Sequence, residues 1–140
     1  MAAKSSPQPS SGPGTSSCLR ILLIDDSRDM VETMKILLEQ FGHEVQTACN
    51  AAAGVEAARQ FRPAVVLCDL GLPGADGCAV AVALRADPLT AASRLIALSG
   101  YSHEADRRRA SEAGFDLHIT KPVDPDELQR LLVERAGQSS

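Results

Sequence analysis

Five polar residues stand directly behind short apolar runs. Asp25 and Asp26 follow LRILLI, Asp69 follows AVVLC, Ser99 follows LIAL, and Lys121 follows LHIT. If those runs are neighbouring parallel strands, all five side chains gather at one end of one sheet. Adjacent strands lie about 4.8 Å apart, so each pair of carboxylates on them repels by roughly 3 kcal/mol at an effective dielectric of about 20. Such a cluster calls for a cation. An all-oxygen ligand set selects a hard ion, Mg²⁺ or Mn²⁺, and Lys121 adds a second positive charge. Taken singly, an Asp at a strand end is most often a turn former or a helix cap. That explanation does not account for five residues converging on the same end.

The elements that must position them can be read from apolar periodicity. Short apolar runs alternate with helix-length amphipathic segments from Leu19 onward, the pattern of βα units around a parallel sheet. Leu19 to Ile24 is the first strand, and a helix follows from about Arg28 to Phe41, with Met30, Met34, Leu37, Leu38 and Phe41 on one side. Gly42 stops it. Glu44 to Ala48 alternates as an edge strand should, and Asn50 caps an Ala-rich helix that ends before Pro63. Ala64 to Cys68 is apolar throughout and predicts a central strand covered on both faces. A helix spans about Asp76 to Ala86, and the fourth strand is Leu95 to Leu98. Ser102 caps a helix that runs to Gly114, Phe115 to Ile119 is the fifth strand, and Asp124-Pro125-Asp126-Glu127 announces the last helix. The predicted fold is α/β, a flavodoxin-like (βα)5 domain with a five-stranded parallel sheet in the order 2-1-3-4-5, its site at the carboxyl ends of the strands.

Composition narrows the function. The 140 residues suit one domain. A net charge of −4 argues against nucleic acid as a partner. No run approaches the length of a membrane span and no secretory leader is present, which predicts a cytoplasmic protein. The cysteines Cys18, Cys49, Cys68 and Cys78 form no CxxC pair and read as reduced packing thiols. Residues 1–17, built almost entirely of Ser, Pro, Gly, Ala, Lys and Gln, predict a flexible tail or linker. The folded domain is expected over 18–136, with 137–140 as a disordered C-terminus that leaves no room for an output domain.

With the segments ILLIDDS, VVLCDLGLPGADG, IALSGY and HITKPVDPDEL, the chain resembles the response regulator receiver domain of two-component signalling over about Leu19 to Val133. The resemblance implies that Asp69 takes a phosphoryl group from a histidine kinase or a histidine phosphotransfer protein as an acyl phosphate. It also implies that Asp26, Asp69 and the backbone carbonyl of Gly71 bind Mg²⁺ or Mn²⁺, with Asp25 acting through water. On the same resemblance Lys121 would neutralise the transferring oxygens, the Ser99 hydroxyl would turn inward to the phosphoryl group, backbone N–H groups at Gly100 and behind Asp69 would assist, and the Lys121-Pro122 bond is expected to be cis. Output passes by contact with a downstream protein partner. The LGLPG segment and the Ser/Pro-rich leader are similar to receivers of hybrid kinases.

Two positions depart from the family pattern. The switch position, usually Tyr or Phe, is His118, which reads equally as a half-exposed polar side chain on an edge strand. Gly71 stands where many relatives carry a side chain that contacts the site. Tyr101, two residues beyond Ser99, is expected to shield an acyl phosphate from water, so Tyr101→Glu should shorten its lifetime more than Gly71→Asn does. The run Arg107-Arg108-Arg109 reads first as a solvated helix face and second as a partner-binding patch. Among rival readings, a haloacid-dehalogenase-type phosphatase needs DxD where this chain has Asp69-Leu70-Gly71, and a flavodoxin needs a Ser/Thr-rich loop where it has Asp25-Asp26. A pseudo-receiver that only docks proteins is the reading that stays open beside phosphotransfer. On the phosphotransfer reading, the resemblance implies a domain that catalyses its own phosphorylation and dephosphorylation without being a conventional turnover enzyme.

Overall fold

The computed structural model of the chain describes residues 18–72, 76–100 and 104–138, and the side chains of the last helix up to residue 132. The expected tail over residues 1–17, the Ser102 cap and Tyr101 lie outside these residues. Five strands, β1 (Arg20–Ile24), β2 (Glu44–Ala48), β3 (Val65–Asp69), β4 (Arg94–Ser99) and β5 (Leu117–Thr120), alternate with five helices, α1 (Arg28–Gln40), α2 (Ala51–Phe61), α3 (Gly77–Ala86), α4 (Glu104–Ala113) and α5 (Pro125–Gln138). All strand pairings are parallel and the sheet order is β2-β1-β3-β4-β5. That is the predicted flavodoxin-like order.

The burial pattern follows from sequence. Every residue of β3 is buried, as an uninterrupted apolar run in a central parallel strand must be. On β1, Leu22 and Ile24 face one core with Val66, Cys68, Leu84 and Phe115, while Ile21 and Leu23 face a second core with Met34, Leu38, Leu128 and Leu132. The alternation of a strand thus feeds two helical layers: α2, α3 and α4 on one side, α1 and α5 on the other. Local signals stop and start the helices as expected. Gly42, at φ 100°, donates to the Glu39 carbonyl, and Asn50 caps α2 by accepting from the Ala53 N–H at 2.8 Å. The Asp124 side chain accepts from the Asp126 N–H at 3.0 Å at the start of α5.

Several strand ends shift by one residue from the expectation, so that Asp69 and Ser99 close β3 and β4 and do not follow them, and two differences have a physical reason. β5 begins at Leu117 and not at Phe115: the Phe115 ring is buried beneath α4, and the Asp116 carboxylate accepts from the Leu95 N–H at 3.0 Å, which holds that residue in the turn. On α1, Val31 joins the buried face and Phe41 is exposed at the C-cap.

Candidate functional site

The site is assembled by strand register. Ile24 lies beside Cys68, so the next residues along, Asp25 and Asp69, emerge side by side. Asp69 lies beside Leu98, and Ser99 beside Thr120, which delivers Lys121 to the same end. Asp25, Asp26 and Asp69 bring one carboxylate oxygen each within 4.8 Å of one another. Asp25 is 1% and Asp69 7% exposed, whereas Asp26 faces solvent.

Hydrogen bonds fix the buried carboxylates. Asp25 Oδ1 accepts from the Ser27 N–H at 2.9 Å, and Asp69 Oδ1 accepts from the Gly71 N–H at 3.0 Å. Lys121 Nζ lies 2.9 Å from Asp25 Oδ2 and 3.4 Å from Asp69 Oδ2. The first is a close ion pair to a buried carboxylate oxygen that has no other polar partner. Burial disfavours the Lys121 ammonium, yet the carboxylates of Asp25 and Asp69 outweigh that and hold Lys121 above the ordinary lysine range. Beside them, burial followed by the Asp69 and Asp25 charges pushes the Cys68 thiol far up, so it stays protonated. Three carboxylates against one ammonium suit a divalent cation held by oxygen ligands.

Ser99 is buried at the end of β4, its carbonyl accepting the Lys121 N–H at 2.7 Å. Gly71 and Gly100 are exposed at the rim, and nothing crowds either position beyond the 3.8 Å approach of Asp69 Oδ1 at Gly71. The Lys121-Pro122 bond is cis. His118 lies two residue pairs back along β5, opposite Ala97, away from the carboxylates.

Two features of the site were not evident in the sequence. A Cβ at Gly77 would overlap the Asp69 carbonyl oxygen and come 2.8 Å from Leu70 Cα, so only glycine lets α3 start against the backbone that carries Asp69. The signal was the Asp76-Gly77 pair, which reads equally as an ordinary helix cap. Asp76 also accepts from the Cys78 N–H at 2.9 Å and pairs with Arg109 at 2.8 Å, tying α3 to α4. The triple-arginine run is therefore divided: Arg109 is used in the structure, while Arg108 pairs with Glu104 along its own helix at 3.5 Å.

A parallel sheet of order 2-1-3-4-5 with an acidic triad and one ammonium at its carboxyl end defines a receiver-type α/β domain. The sequence model for the response regulator receiver domain matches residues 21–133, and the chain belongs to that family. Protein PilH of Pseudomonas aeruginosa is 35% identical over 113 residues, covering 81% of this chain and 93% of PilH. A response regulator structure from Chloroflexus aurantiacus superposes with a TM-score of 0.78 at 25% identity, covering 84% of this chain and 97% of that one. The receiver domain of a sensor histidine kinase from Pseudomonas aeruginosa, with a magnesium ion coordinated in its active site cleft, gives 0.76 at 27% identity, covering 85% and 97%. Among the described residues no helix is long and apolar enough to cross a membrane.

Proposed function

We propose that Asp69 is the phosphoryl acceptor of this receiver and that a histidine kinase or histidine phosphotransfer protein is the donor. The observation that carries the reading is the position of Asp69: it ends the central strand within 3.4 Å of Lys121 and within the triad of carboxylates. An Asp69 carboxylate oxygen forms the bond to phosphorus as the phosphorus–nitrogen bond of the donor breaks. The leaving imidazole keeps the electron pair and takes up a proton. The Gly71 N–H, already on Oδ1, orients the nucleophile. On this reading Lys121, the Ser99 hydroxyl and the Gly100 N–H would bind the phosphoryl oxygens, so that the protein contributes positioning and charge complementarity. Asp26, Asp69 and the Gly71 carbonyl would hold Mg²⁺ or Mn²⁺, with Asp25 acting through water. Such an ion supplies charge neutralisation at the transferring group. The signal then leaves by contact with a downstream protein in the cytoplasm, and nucleic acid is not a partner.

Incubation with acetyl phosphate and Mg²⁺ should add the mass of one phosphoryl group, and Asp69→Asn should add none. Equal uptake in the variant would place the acceptor elsewhere. No uptake by wild type under any small donor or kinase would leave the docking module as the better reading.

A further inference from the structure

The arginine run of α4 is separated from a hydroxyl by one residue. Arg107, Arg108 and Arg109 precede Ser111 by four, three and two positions, in a chain whose net charge is −4. Ser111 is exposed and borders the open cleft that Arg85 and Asp116 line, so its hydroxyl can be approached and a phosphate has room there. Helix residues three and four apart share a face, which puts Arg107 and Arg108 on the side of Ser111. Both arginines are exposed. The pair that Arg108 forms with Glu104 is 3.5 Å long, between side chains 67% and 86% exposed, and such a pair is easily given up.

An enzyme that reads Arg108 and Arg109 together needs them on one side of an extended segment, because successive side chains of a helix point in different directions. The helix must therefore open, and little opposes that. Of the ten residues of α4, Ala110 is the buried one, and the tie from Arg109 to Asp76 on α3 is itself an exposed pair. Segments with so little buried apolar contact open locally at low cost. The opening has a natural end: Arg85 donates to the Gly114 carbonyl at 2.9 Å, Phe115 is buried, and Gly114, at φ 121°, already leaves helical backbone.

We propose that Ser111 is a modification site for a serine/threonine protein kinase that reads basic residues, with Arg108 and Arg109 as the recognition pair. The Ser111 Oγ forms a bond to the γ-phosphorus of ATP as the bond from that phosphorus to the bridging oxygen breaks. ADP leaves with the electron pair, and the hydroxyl proton passes to a carboxylate of the kinase. Once α4 closes again, the guanidinium groups of Arg107 and Arg108 flank the phosphate and answer its charge, which the carboxyl end of the helix dipole by itself disfavours. A cationic stretch of α4 thereby becomes close to neutral. This input is separate from phosphotransfer, since it needs neither Asp69 nor a cation at the acidic triad.

The test is incubation of the full chain with MgATP and the catalytic subunit of the cyclic-AMP-dependent protein kinase, a probe that selects arginines at these two spacings. One phosphoryl group should be gained, and it should survive hydroxylamine, which strips the acyl phosphate of an aspartate. Ser111→Ala should take up none, while Asp69→Asn should react as wild type does. Arg108→Gln should react about tenfold more slowly or worse, for the loss of one charge-assisted contact to the kinase. Asp76→Asn should react faster, because it releases α4 from α3 and keeps both recognition arginines. No uptake by wild type, hydroxylamine-stable label that persists in Ser111→Ala, an unchanged rate in Arg108→Gln, or no gain in Asp76→Asn would each overturn the proposal.

Discussion

The two ends of the sheet solve the problem of charge in opposite ways. At the amino end, Arg85 reaches from α3 and places its donors on the carbonyls of Gly114, Ala91 and Ser93 at 2.9, 2.7 and 2.7 Å and on the Asp116 carboxylate at 2.8 Å. Asp116 in turn accepts from the Leu95 N–H, and the Ser93 hydroxyl donates to the Pro63 carbonyl at 2.7 Å. Within that network the Arg85 guanidinium is matched by the Asp116 carboxylate and three carbonyls. At the carboxyl end, one ammonium pairs with two of three clustered carboxylates. The first arrangement is complete and holds the fold, whereas the second is left short of positive charge and is therefore ready for ligands.

The largest way to break the comparison attacks the backbone beneath the charged end. Gly77→Ala should cost about 3 kcal/mol or more, because the new methyl group meets main chain that has no rotamer to yield. Urea unfolding should register this as a lower midpoint with a near-constant slope. A loss under 1 kcal/mol would mean that α3 is free to retreat from Asp69 and that the site end is loosely built.

Arg85→Ala comes next, at about 2–3 kcal/mol. It removes a charge-assisted pair and leaves three carbonyls to water in an open cleft, and Asp116→Asn should cost less because the carbonyl contacts survive. Equal losses in both variants would show that the ion pair alone matters.

Asp25→Asn should act in the reverse direction. It removes a buried charge that faces two like charges and one opposite charge, so the metal-free protein should gain about 1 kcal/mol while the stabilisation by millimolar Mg²⁺ is lost. Thermal melts with and without Mg²⁺ decide both signs.

The smallest effect is on alkaline stability. Lys121 is held above its ordinary range in the folded state, so its contribution is full below the unfolded lysine value and fades as pH rises through the folded one. Lys121→Met should flatten that loss above about pH 10. The same stability decline in the variant as in wild type would assign it to other groups.

These contrasts also mark what was legible in the sequence. The strands, their order and the positions of Asp25, Asp69, Ser99 and Lys121 follow from local periodicity together with the handedness of βα units, and each needs only a dozen neighbouring residues to be read. The amino-end network does not. Arg85 resembles any arginine near a helix end until the fold brings Gly114 and Asp116 beside it, and Asp116 was misread as strand because its bond to the Leu95 N–H is long-range. His43 is a like case: its Nδ1 accepts from the Leu19 N–H at 3.1 Å and its Nε2 meets Gln129 Oε1 at 2.7 Å, partners 24 and 86 residues away in sequence. Phe41 shows the converse, an apolar residue in register with a buried stripe but one position past the helix.

The order of elements along the chain has a consequence for synthesis. Asp25, Asp26 and Asp69 belong to the first three strands, and the ammonium that answers them belongs to the fifth. A ribosome adds residues at about 5–20 per second, so the roughly 50 residues between Asp69 and Lys121 take about 3 to 10 s to appear. During that interval the nascent domain carries its full acidic load without its internal counter-ion. Docking of the last βα unit is then rewarded electrostatically as well as by burial of Leu128 and Leu132, which draws the late-made end of the chain onto the early-made one.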